Sequence, residues 1–231
     1  MDHVGDLLRA TSAPLPPPAL LGTLAVAVVS VLWSPVWRTT RHVVTIAHEA
    51  AHGLAARAVG RRLTGIRLHS DTSGLTVSRG RPTGPGMVAT LAAGYPGPSL
   101  VGLGAALVLR AGYAAALLCS MVVLLALMLL KIRNWYGLWS VLVCGAAVVA
   151  VTWWTSPQTQ SAFAHTVTWF LLLAGPRAVV ELHRGRRGGR DRASDADQLG
   201  RLTGIPAVVW VGLFALVTLG ALAAGTVVLI P

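Results

Sequence analysis

The chain has 231 residues, 54% hydrophobic and only 12% charged, with a net charge of +11 from 19 Lys and Arg against 8 Asp and Glu. So few charges among so many apolar residues exclude an ordinary soluble domain and point to a polytopic membrane protein, whose apolar runs approach the roughly 20 residues that cross a bilayer. The two cysteines, Cys119 and Cys144, lie inside apolar runs, which excludes a disulfide framework and leaves them as small packing residues.

In chain order, residues 1–17 make a short polar tail with Asp2, Asp6 and Arg9, and prolines at its end. It lacks the basic start and small-residue cleavage site of a secretory signal, so the apolar run after it is expected to stay. About seven transmembrane helices are expected, at 18–35, 42–59, 87–109, 112–130, 135–154, 160–181 and 205–229, giving an all-α membrane protein with a single embedded domain over 1–231. On that arrangement Arg9, the Arg57 to Arg81 group, Lys131, Arg133, Arg177 and the Arg184 to Arg201 group share one side, sixteen in all, against Arg38, Arg41 and Arg110 on the other. The positive-inside rule then puts the N-terminus in the cytoplasm and the C-terminus outside a bacterial plasma membrane. The same placement makes the arginine run near Arg184 to Arg192 a topological and lipid-facing feature rather than a nucleic-acid site.

The second span carries His48-Glu49-Ala50-Ala51-His52. On a helix, positions i and i+4 share a face, so both imidazoles can reach one zinc ion, and Glu49 on the flank can act as general base toward a metal-activated water. Three ionisable side chains in a spanning helix are functional by default. Next, Ile66, Leu68, Leu75 and Val77 alternate with polar residues around a turn at 71–74, which predicts a β-hairpin on the cytoplasmic side between spans two and three. It is either a plain connection or an edge to which an extended substrate could add.

Two prolines and two glycines within 94–99 interrupt the third span at the depth of His52; the break is a packing kink or the lining of a wet cavity. Asn134 starts the fifth span, either as an interfacial helix cap or as a donor to an oxyanion. Zinc needs a third protein ligand, and once Asp2, Asp6 and Glu49 are set aside the acids left are Asp71, Glu181, Asp191, Asp195 and Asp197. Ser194 can cap a helix whose first turn holds Asp195 and Asp197, so for those two, capping and metal binding stay open together.

The motif 48–53, the loop from Gly60, Ala93-Gly94-Tyr95-Pro96-Gly97, Arg133-Asn134-Trp135-Tyr136-Gly137 and Ser194-Asp195-Ala196-Asp197 together resemble the site-2 protease family of intramembrane zinc metalloproteases. The resemblance spans 40–210 and is closest to the compact bacterial and plant branch related to the sporulation-factor processing protease. It implies zinc-dependent cleavage of a peptide bond in or beside a transmembrane segment of a substrate, with Asp195, then Asp197, as third ligand. The chain lacks the family's Asn-x-x-Pro stretch followed by Leu-Asp-Gly. A substrate membrane protein, the bilayer and a regulatory membrane partner are the expected partners. The competing readings are an inactive membrane scaffold with a structural metal site and a metal or proton transporter.

Overall fold

The computed structural model describes residues 10–188 and 193–230, together with Gly5. Asp2, Asp6, Arg9, Arg190, Asp191 and Arg192 lie outside the described residues. Nine longer helices and one hairpin follow in order among them: α1 (Pro17–Leu32), α2 (Ser34–Ala58), β1 (Arg62–Leu68), β2 (Gly74–Arg79), α3 (Pro85–Ala92), α4 (Gly97–Arg110), α5 (Ala114–Leu129), α6 (Trp135–Trp154), α7 (Pro157–Arg187), α8 (Asp195–Thr203) and α9 (Ala207–Leu229).

The structure does not confirm the expected count of seven separate spans. Three uninterrupted helices, α6, α7 and α9, are long and apolar enough to cross a bilayer, the bent pairs α1–α2 and α3–α4 add two more if each counts as one, and α5 is a shorter apolar helix that runs between the same two ends of the bundle. The largest difference is at the first two runs. They meet at Trp33, which is extended, and bend by 98°. Pro35 explains the corner, because its ring and missing N–H cannot continue α1, while it fits the first turn of a new helix. Thr40 Oγ1 then donates to the freed Ser30 carbonyl across the corner at 3.2 Å. The interruption expected in the third run is present: α3 and α4 diverge by 70° around residues 93–96.

Helix α7 is the central post, buried with residues of α1, α2, α4, α5, α6 and α9 in one apolar cluster. Close approaches fix its neighbours' directions. Gly102 of α4 sits against Leu172, while Gly175 meets both Ser99 of α4 and Thr218 of α9, and Gly225 of α9 meets Leu172 again. Both α4 and α9 therefore run antiparallel to α7, so the C-terminal end of α9 lies toward Pro157. The segment before α1 is there too, since Ser12 N–H donates to Gly112 O at 2.7 Å and residues 12–16 share a cleft with Ser156–Gln158. Residues 12–16 and the C-terminal end of α9 thus lie toward the same end of the bundle. Arg41, expected across the membrane from Arg177, instead lies 3.5 Å from Glu181 on the same α7 turn as Arg177.

The hairpin forms between α2 and α3 as expected, with antiparallel partners from Arg62↔Arg79 to Leu68↔Gly74 and a bulge between Leu63 and Gly65. Ile66 and Leu68 are buried against Ile46, Met128, Ile132 and Val141. The outer side of β1 is occupied as well: Ile66 bonds the backbone of Lys131 and Arg133, and the Asn134 amide continues that edge onto Leu68. This leaves β2 as the outer strand of the sheet.

Topology reporters test the packing. One placed ahead of Ser12 and one after Leu229 should report the same side of the membrane, with a third in the hairpin turn at Ser73 reporting the cytoplasm, the side the Lys and Arg bias favours. Opposite answers for the two ends would contradict the antiparallel α7–α9 packing.

Candidate metal centre

One face of α2 builds the floor of the site. Trp37, Arg41, Thr45, His48, Glu49 and His52 recur at near-helical spacing and line a cavity of about 520 Å³, walled by the hairpin on one side and by α7 and α8 on another. His48 and His52 fall one turn apart, as the motif requires, with ring centroids 4.6 Å apart. Their Nε2 atoms are 3.0 Å apart, and Asp195 Oδ2 lies 3.2 Å from each. Donors around a tetrahedral zinc, with bonds of about 2.0–2.2 Å, are separated by about 3.3–3.6 Å. The three atoms therefore form a nearly correct face for such an ion.

The chemistry of the donors fits a cation. His52 Nδ1 is 2.7 Å from the Thr90 carbonyl, which can only accept, so that nitrogen holds the proton and the lone pair on Nε2 points at Asp195. Asp195 Oδ2 is buried without a hydrogen-bond partner. Three electron pairs converging away from water repel one another unless a proton or a metal cation sits between them, and the near-equal spacing of all three atoms suits a metal. Room for the rings comes from Gly94, at the break after α3: a Cβ there would overlap His52 Nε2 and Cε1 and His48 Cε1. Tyr95, next in sequence, packs edge-on to His48 at 4.9 Å and stacks on Phe214 of α9.

Glu49 is 4% exposed, and its carboxylate lies with the two imidazoles inside a 4.8 Å group that could also hold a metal. Its surroundings set it apart from Asp195. Thr76 Oγ1 on β2 donates to Glu49 Oε2 at 2.6 Å, and Gly74 leaves the space beside Oε1 without a side chain. A carboxylate steadied on one oxygen with the other unclaimed by Thr76 suits proton transfer better than ligation, whereas Asp195 faces both ring nitrogens directly.

The other residues singled out in the sequence are placed as follows. Asp197 points away from the rings, to Arg186 at 2.6 Å and the Ser194 hydroxyl at 2.6 Å. Glu181 is held at the far end of the cavity by Trp37 Nε1 at 2.7 Å and by Arg177 and Arg41. Asp71 closes the hairpin turn, where the Ser73 hydroxyl and then the Ser73 N–H hold its carboxyl below the usual carboxylate range. Asn134 accepts from Leu68 N–H at 3.2 Å and donates to Leu68 O at 2.6 Å. Both ends of its amide thus serve the hairpin, and it is not among the residues lining the cavity, so the oxyanion role expected of it finds no support in its placement. Thr76, Thr90 and Arg186 had no signal in the sequence, since each acts through a fold-dependent contact.

Two histidines and a carboxylate converging beside a buried glutamate, in a bundle of apolar helices, define a candidate membrane metallopeptidase. The sequence profile of the Peptidase M50B-like family matches residues 21–225, and the chain belongs to that family, in agreement with the site-2 protease resemblance. No curated protein and no solved structure matches it.

Gly94→Ala isolates the steric demand of the centre. The added methyl should displace both rings and lower zinc affinity by tenfold or more, measured by competition with a chromophoric chelator. Unchanged affinity would contradict the ring positions.

Proposed function

We propose that this chain is an intramembrane zinc endopeptidase that cleaves a membrane-protein substrate in or beside a transmembrane segment, in regulated proteolysis at the bacterial plasma membrane. The observation that carries the reading is the convergence of His48 Nε2, His52 Nε2 and Asp195 Oδ2 on one point beside Glu49, in a cavity of about 520 Å³. The Ser194-Asp195-Ala196 element supports a place in the compact branch of the family.

His48, His52 and Asp195 would hold the zinc. Bound there, zinc lowers the pKa of water to about 7 and polarises a carbonyl. Glu49 accepts the proton from the attacking water and passes it to the leaving amine, with Thr76 keeping the carboxylate turned toward the reacting atoms. The Thr90 carbonyl fixes the His52 tautomer, so that Nε2 is available as a ligand. The substrate lies extended along α2 between Trp37 and His52. The fifteen helical steps between them span about 22 Å, enough for six or seven extended residues at about 3.3 Å each. As the outer strand, β2 can pair with that segment through its backbone. An inactive scaffold has no need of a cavity reaching the buried glutamate, so the cavity supports the protease reading over it.

Glu49→Gln keeps the shape of the side chain but cannot take a proton. It should leave zinc content unchanged and abolish cleavage, by at least the 10²-fold typical of general-base loss. The test compares membrane-protein fragments by mass spectrometry in cells with the native chain and with the variant. Identical fragment sets in both, with native zinc bound, would defeat the proteolytic assignment.

A further inference from the structure

Asp195 and Asp197 are the first and third residues of α8, a helix of nine residues that returns to the bundle after the polar loop following α7. At about 100° per residue, two positions apart means roughly 200°, so the two carboxylates leave the helix on nearly opposite sides. Between them Ala196, fully buried, faces the apolar cluster with Leu199, Leu182, Val179 and Leu91. That packing, with Leu199 wholly buried about one turn on, sets the rotation of α8 coarsely, while the small methyl of Ala196 leaves the first turn some freedom.

The first turn has a second, polar anchor. Arg186, near the end of α7, donates to Asp197 Oδ1 at 2.6 Å, with only 22% of its side chain exposed. The second oxygen of Asp197 accepts from the Ser194 hydroxyl at 2.6 Å, and that hydroxyl in turn caps the Asp197 N–H. The first turn of α8 is thus pinned on one side by Arg186 while its opposite side presents Asp195 to His48 and His52.

We propose that Arg186 is a positioning residue for the metal centre: through Asp197 it holds the first turn of α8 at the rotation that brings Asp195 Oδ2 to the two imidazoles. Asp197 therefore contributes to metal binding without touching the metal. The proposal rests on the metal-centre reading above. A charged partner that orients a ligand in this way is worth about 10–100-fold in metal affinity.

Charge and geometry predict opposite signs, which makes the role separable from simple electrostatics. Removing Arg186 deletes a nearby positive charge and leaves Asp197 negative, so by Coulomb effects alone a cation would bind more tightly. A positioning role predicts weaker binding.

The experiment uses the full chain in lipid nanodiscs, titrated with Co²⁺, whose visible bands report coordination number and symmetry. Arg186→Ala should weaken Co²⁺ binding about tenfold or more and shift the bands toward those of Asp195→Ala, and Arg186→Lys should restore part of the affinity. On the Asp195→Ala background, Arg186→Ala should cost less than about twofold more, because its route to the metal is already cut. Full affinity and native bands in Arg186→Ala would overturn the proposal, as would an undiminished effect on the Asp195→Ala background, which would mean a general loss of fold. If the native chain and His48→Ala bound Co²⁺ identically, the metal-centre reading itself would fall, and the role of Arg186 with it.

Discussion

Three electron-pair donors meet at one buried place in this molecule, and most of the surrounding structure can be understood as what is needed to keep them there. The two histidine Nε2 atoms and Asp195 Oδ2 are 3.0–3.2 Å apart and largely removed from water, so with neutral rings whose Nε2 lone pairs face inward the group costs several kcal/mol unless a cation sits between them. With a cation between them the same closeness is favourable. Helix α2 brings the rings together by sequence spacing alone. The break between α3 and α4 then does two things at once. It ends α3 so that Gly94 can lie against both rings without a side chain, and α3 turns the Thr90 carbonyl onto His52. Helix α8 supplies the third donor from more than 140 residues away in the chain.

The hairpin has a comparable economy. Its inner strand is fastened on both sides, by β2 and by the segment from Lys131 to Asn134, where an asparagine side chain substitutes for the next stretch of backbone. Fixed in this way, it carries β2 over Glu49, where Thr76 and Gly74 shape the two sides of the carboxylate. The strand that steadies the proposed base is thus also the strand left at the edge of the cavity. Substrate docking and proton transfer would be handled by one small element.

Much of this was legible in the residues. His48, Glu49 and His52 follow from helical spacing, the hairpin from alternation around its turn, and the interruption at 94–97 from its prolines and glycines. What could not be read depends on three-dimensional return paths. The corner at Trp33 is not legible in the sequence, because two apolar runs separated by a few polar residues look the same whether they cross the membrane twice or bend once; the 98° bend and the packing of Arg41 against Glu181 reveal it. Asp195 and Asp197 could not be separated by composition, since both suit a helix N-terminus, and their roles divide only through the 200° between them on α8. Asn134 was read as a cap or oxyanion donor because its partner, Leu68, is 66 positions away.

X-ray absorption at the zinc edge, on the zinc-loaded chain in nanodiscs, measures the centre most directly. The account predicts only light donors at about 2.0–2.2 Å, with outer-shell scattering from two imidazole rings and one carboxylate oxygen in the inner shell. Sulfur at about 2.3 Å, or scattering from one ring or none, would contradict the meeting of His48, His52 and Asp195 at a single metal.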